Sequence, residues 1–126
     1  MNAEGTLSVK NVAESNHHYT VGELCELFQI TRKTLFYYDR AGLLRPTERV
    51  GVQNFKVYDT DAVQRLKTIL DYRKAGLTVQ EIRQLLSETC NDPAAILNQA
   101  LDRLKQKQKQ CAVQIGRLKE LIRELE

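Results

Sequence analysis

Leu97, Leu101, Leu104, Gln108, Cys111, Ile115, Leu118, Ile122 and Leu125 follow one another at steps of four, three, four, three along this 126-residue chain. A 3.5-residue repeat held this long is the pattern of a coiled-coil seam, narrower and straighter than the face of an ordinary amphipathic helix. At 1.5 Å per residue the seam would run about 42 Å. The remaining residues can build one small domain, too small to cover that length. Apolar area on this scale calls for a partner helix, and a second copy of the chain is the simplest one. Residues 92–126 are therefore expected to form a dimerisation helix. Asp92 is its cap and Pro93 its first helical residue. Gln108, the one strongly polar seam position, can set register at some cost in stability.

The other half of the chain is punctuated by local signals. Thr20 and Glu23 have the spacing of a capping box, followed by Val21, Leu24, Cys25 and Phe28 on one helical face. Phe28-Gln-Ile30 supplies a turn, and Thr31 caps a second helix from Arg32 to about Ala41. Leu35 and Tyr38 can pack inward, leaving Arg32, Lys33, Phe36 and Arg40 nearer the outside. Gly42 suits the left-handed position after a helix. Leu43-Leu44-Arg45-Pro46 then reads as extended chain. Gly51 to Asn54 form a loop, and Phe55-Lys-Val-Tyr58 alternates as a strand, giving a two-stranded wing. Asp59 can cap a third helix carrying Ala62, Val63, Leu66, Ile69, Leu70 and Tyr72, which Gly76 ends. Thr78 and Glu81 repeat the capping box ahead of Ile82, Leu85 and Leu86.

Two short helices joined by a tight turn, the second basic and followed by a hairpin, follow the plan of a helix-turn-helix that reads a DNA major groove. Net charge adds little to this, since 19 Lys and Arg against 16 Asp and Glu leave only +3. Placement carries the argument. Arg32 and Lys33 stand where side chains enter the groove first, Tyr37 is a candidate phosphate contact, and Arg40 is a further candidate for the DNA interface. Arg45, Arg49 and Lys56, around the wing, are expected to project and to position the protein on the backbone.

These residues resemble the MerR family of bacterial transcription regulators from Tyr19 to about Glu88, with a dimer helix to follow. The resemblance lies in Tyr19-Thr-Val-Gly-Glu-Leu24, Ile30-Thr-Arg-Lys-Thr-Leu-Phe-Tyr-Tyr-Asp39, Gly42-Leu-Leu-Arg-Pro46, Asn54-Phe-Lys-Val-Tyr58 and Arg73-Lys-Ala-Gly-Leu-Thr-Val-Gln-Glu-Ile82. It implies a mostly α fold, with a winged helix-turn-helix DNA-binding domain over 19–88 and an antiparallel coiled-coil dimer. It further implies a pseudo-palindromic promoter site that is distorted so that RNA polymerase can engage it. Two departures stand out. Phe36 replaces the arginine usual before the tyrosine pair, and either touches a thymine methyl or packs on a neighbouring element. Phe55 and Lys56 replace tyrosine and arginine, and lysine lacks the planar guanidinium fork.

The remaining features point away from other classes. No run reaches the 18 apolar residues of a membrane span, and residues 1–18 read as a tail without a signal core. Three dispersed cysteines make no disulfide framework, so a reducing compartment, the bacterial cytoplasm, is expected. His17 and His18 stand without a carboxylate or cysteine close in sequence and are weak metal candidates. Cys25 reads as a core residue. Cys90 and Cys111 are too far apart along a helix to share an ion within one chain, and the chain stops at Glu126, so no metal or cofactor is expected. In an antiparallel dimer centred on its seam, Cys111 would face its copy, as a small apolar residue, as one half of a cross-chain disulfide, or in other ligand chemistry. No nucleophile–base or paired-carboxylate constellation suggests an enzyme. A DNA-architectural or recombination-accessory protein and a coiled-coil interaction module are the competing classes.

Overall fold

The computed structural model describes residues 17–126; the tail expected over 1–18 therefore lies, as far as residue 16, outside the described residues. The element order is β1 (Tyr19–Thr20), α1 (Val21–Phe28), α2 (Arg32–Arg40), β2 (Glu48–Val50), β3 (Phe55–Tyr58), α3 (Thr60–Lys74), α4 (Val79–Leu85) and α5 (Pro93–Glu124). Two compact units divide at Tyr72 and Arg73. By their contacts α4 groups with α5 in the second unit. Among the described residues no helix is long and apolar enough to cross a membrane.

In the first unit, local side-chain bonds set the helix boundaries. The Thr20 hydroxyl accepts from the Glu23 N–H at 3.2 Å, and the Glu23 carboxylate accepts from the Thr20 N–H at 2.9 Å. Two of the four unsatisfied donors at a helix start are thereby met. α1 stops at Gln29, which holds φ 58° with its side-chain amide donating to the Glu26 carbonyl at 2.8 Å. Thr31 caps α2 by accepting from the Thr34 N–H at 3.1 Å. Past α2, Gly42 takes φ 73°, a conformation that a Cβ would strain. Leu43 and Leu44 then turn into the core instead of running on as a strand, and join Leu24, Leu35, Tyr58, Val63, Leu66 and Ile69. Asp59 caps α3, its carboxylate accepting from the Ala62 N–H at 2.9 Å.

The two-stranded wing expected from sequence is present as β2 and β3, and β1 adds a third strand to give an antiparallel sheet ordered β1-β3-β2. Tyr19 lies opposite Tyr58 and Thr20 opposite Val57, while Glu48, Arg49 and Val50 face Val57, Lys56 and Phe55. β3 is therefore the central strand, paired on both edges. A two-stranded hairpin is marginal by itself, and the third strand supplies the missing support.

In the second unit, Thr78 and Glu81 form their capping box, and Asp92 caps α5 by accepting from the Ala95 N–H at 3.1 Å. Glu81 does more than cap. Its carboxylate is buried, accepts from both guanidinium ends of Arg103 at 2.8 and 2.9 Å, and accepts from the Gln99 amide at 3.1 Å. Arg103 also donates to the Gly76 carbonyl at 3.0 Å. One bidentate pair thus joins the start of α4, the turn before it and the flank of α5. The hydrogen bonds from Arg103, then the Thr78 N–H, pull the Glu81 pKa down to about 2.

That lowering has a stability consequence with a definite sign. The folded value lies below the ordinary 4.5, so the contribution is complete above about pH 4.5 and fades as pH falls toward 2. Glu81→Gln should lower the melting temperature by several degrees at neutral pH. The gap between variant and wild type should close on acidification through that window, as followed by circular dichroism. A gap that is the same at pH 7 and pH 2.5 would deny the carboxylate this role.

Candidate nucleic-acid interface

The inward face of α2 carries Leu35, Tyr38 and Asp39, all buried. Helical geometry therefore turns Arg32, Lys33 and Arg40 outward, and all three are exposed, with Tyr37 at 45% exposure. Arg45 is exposed as well. Arg32, Lys33, Arg40 and Arg45 make no ion pair among the described residues. Four cations without an ion pair among the described residues, on and just after one short helix, give this face a positive field.

The wing cations are placed differently. Arg49 Nη2 and Lys56 Nζ both lie 3.2 Å from Asp39 Oδ2, and Lys56 Nζ sits 4.1 Å from the centroid of the Phe36 ring. Lys56 therefore does not project freely from the hairpin as the sequence reading had it. Strand alternation explains why: Lys56 shares a face with the buried Tyr58, while Phe55 points away and stays exposed. Phe36 packs on the wing through this cation–π contact. Burial alone would raise the Asp39 pKa, but the hydrogen bonds and charges of Lys56 and Arg49 outweigh it and hold the group below its ordinary value. Tyr58 lies close enough for the Asp39 charge to act on it. Burial first, then that charge, pushes its hydroxyl up to about 12, and the hydroxyl itself is buried without a hydrogen-bond partner among the described residues.

Beside this cluster runs a groove of about 370 Å³, lined by Gly22, Arg32, Phe36, Asn54, Phe55 and Lys56 among others. Gly22 shapes it. A Cβ there would stand 3.2 Å from Arg32 Nη2, so the missing side chain leaves a seat for the guanidinium. Neither Gly22 nor Asp39 was picked out from sequence. Asp39 carried a usable signal, since it stands four residues after Leu35 and so shares its inward face.

The seam residues belong to the second unit. Leu97, Leu101, Leu104, Ile115, Leu118, Ile122 and Leu125 are exposed, as are Gln108 and Cys111. Leu104 is partly occupied within its own chain, its Cδ1 lying 3.3 Å from where a Cβ on Gly76 would stand. Cys25 and Cys90 are half-buried free thiols. His17 stacks edge-on with Tyr19 at 4.5 Å, and His18 lies 3.9 Å from the Glu48 carboxylate, a neighbour that sequence order hides. No group of three or more potential metal ligands occurs among the described residues.

The model for the MerR helix-turn-helix family of regulatory proteins matches residues 19–89, and the model described as MerR, DNA binding matches 63–126. The chain belongs to the MerR family. It is 38% identical over 79 residues to the transcriptional activator TipA of Streptomyces coelicolor, a match covering 63% of this chain and 31% of TipA. The chain thus spans about a third of that relative. The N-terminal part of MtaN, the Bacillus subtilis multidrug transporter activator, superposes with TM-score 0.62 at 26% identity, covering 75% of this chain and 90% of that one. A MerR-family regulator from Bacillus cereus shares the fold with TM-score 0.70 at 20% identity, over 82% and 79% of the two chains.

Gly22 offers a check on the seat of Arg32 in this MerR-family unit. Gly22→Ala should gain up to about 1 kcal/mol of helix propensity, because the atom it meets is the free end of a flexible side chain. Denaturant unfolding should show equal or higher stability. A loss of more than about 1 kcal/mol would mean that Arg32 cannot move aside.

Proposed function

We propose that this chain is a sequence-specific, DNA-binding transcription regulator that acts as a homodimer in the bacterial cytoplasm. The observation that carries the reading is the pair of exposed, unpaired cations Arg32 and Lys33 at the N-terminal end of α2, opposite a fully packed face. In a helix-turn-helix, that end of the second helix meets base edges first. Tyr37 and Arg40 are then placed for phosphates, and Arg45, Arg49 and Lys56 carry the contact onto the backbone beside the helix. The positive face of α2 accounts for affinity, and Arg32 and Lys33 for selection among sequences. No bond-making step is needed.

The uncovered stripe of α5 supports pairing with a second copy, and an antiparallel coiled coil fits a pseudo-palindromic promoter site. The resemblance to the MerR family implies that the duplex is distorted at such a site, and the deformation energy would itself select sequence. RNA polymerase is the proposed partner at such a promoter. TipA is by name a transcriptional activator.

Arg32→Ala and Lys33→Ala should each weaken binding to a mapped site while the protein stays folded. A lost base contact costs about 1–3 kcal/mol and relaxes one position, whereas a lost phosphate contact reduces the salt slope by about one. Quantitative footprinting at several salt concentrations separates the two. Unchanged protection by both variants would remove α2 from the interface.

Assembly has its own test. Leu118→Glu with Ile122→Glu should weaken dimerisation at least about 100-fold, roughly 2.8 kcal/mol, because unpaired charge would be buried in the seam. These two positions serve better than Leu104, which also packs on Gly76. Light scattering reads the result directly, and a wild type that is monomeric at micromolar concentration would refute the dimer.

A further inference from the structure

We propose that Asp39 is a positioning residue of the DNA interface, its buried carboxylate holding the wing cations Arg49 and Lys56 against α2 so that helix and wing meet a duplex in fixed register. The inference rests on the DNA-binding reading above and assigns a role to an acidic residue within it. Asp39 Oδ2 receives both cations at 3.2 Å, and its side chain is only 10% exposed, against 43% for Arg49 and 23% for Lys56. The carboxylate is therefore underneath and the cations are toward solvent. Phe36 completes the seat, with Lys56 Nζ 4.1 Å from its ring centroid.

The chemistry favours organisation over repulsion. One carboxylate against two cations leaves the cluster positive. A guanidinium carries five N–H donors and an ammonium three, so partners remain for a phosphate after Asp39 is served. Held this way, Lys56 and Arg49 lose less side-chain freedom when DNA arrives than they would on an unsupported hairpin. Charge counting alone predicts the reverse: a carboxylate this close to DNA repels it, and its removal should tighten all binding. The two views give opposite signs for Asp39→Asn, which keeps the shape and discards the charge.

The test uses the full-length chain and two probes: a duplex selected from a random library by the wild-type protein, and a mixed-sequence duplex of the same length. Affinities for both are measured across a potassium chloride series. Asp39→Asn should lower the ratio of selected to mixed affinity about tenfold, with mixed-sequence binding unchanged or stronger. Phe36→Leu should lower the ratio about threefold, and Phe36→Tyr, which keeps the ring face, should preserve it. In a Lys56→Met background the effect of Phe36→Leu should vanish and that of Asp39→Asn should shrink, because the side chain being positioned is gone. If Asp39→Asn fails to fold, Asp39→Glu takes its place: it keeps the charge but displaces both cations, and should lower the ratio, whereas an unchanged ratio would overturn the positioning role. An unchanged or higher ratio in folded Asp39→Asn, or independent effects of Phe36→Leu and Lys56→Met, overturns the proposal and leaves the DNA reading intact. A wild type that selects no duplex overturns the reading itself, and the proposal with it.

Discussion

A carboxylate withdrawn from water needs cationic partners, and at Asp39 that requirement ties the hairpin to the helix. The side chain lies on the inward face of α2 beside Leu35 and Tyr38, where an unpaired charge would be strongly destabilising. Arg49 from β2 and Lys56 from β3 supply the compensation. Both strands of the hairpin are thereby anchored to one residue of α2. β1 holds the other edge of β3 through backbone pairing. The exposed surface that results is cationic over α2 and aromatic at Phe55, while its carboxylate is hidden.

The second unit repeats the device with different geometry. Glu81 meets one arginine bidentately, and the same carboxylate closes its own capping box. Planar guanidinium and carboxylate match edge to edge, which fixes angle as well as distance. Asp39 instead shares a single oxygen between two cations on separate strands, an arrangement that fixes position more than angle. Both carboxylates titrate below their ordinary values, so acid weakens the two units through the same chemistry. Neither pair depends on exposed ions alone, which would contribute little.

Local bonds were legible in the sequence, and contacts between distant elements were not. The boxes at Thr20 and Thr78 and the caps at Thr31, Asp59 and Asp92 each involve partners three residues apart, so their spacing is written in the chain. β1 is two residues long and has no period to display; only its pairing with β3 defines it. The partners of Asp39 lie on two other strands, and the strand alternation that turns Lys56 inward was read without deciding which face met the helices. Glu81 was recognised as a capping residue, but its Arg103 partner stands 22 positions away. For the site, the exposed cations of α2 followed from helical period, whereas the paired state of Arg49 and Lys56 needed tertiary structure. The grouping of α4 with α5 was hidden for the same reason.

The proposed antiparallel pairing of α5 also accounts for a difference between the two halves of that helix. Near its start, Ala100 is buried and Ile96 and Arg103 are half-buried, on the flank where Arg103 and Gln99 reach Glu81 of α4. Toward its end the apolar face widens, since Val113 and Leu121 are exposed alongside the seam residues Leu118, Ile122 and Leu125. Leu118, Leu121, Ile122 and Leu125 fall at i, i+3, i+4 and i+7, a broader stripe than a two-stranded seam alone would use. A parallel pair would set these wide ends side by side, each several turns along its helix from α4. An antiparallel pair sets the wide end of each helix beside the α4-flanked end of the other, where more than one helix is at hand to cover it. The surplus apolar residues would then have a place to be buried, and the flank that α4 occupies in each chain would become part of the proposed dimer contact.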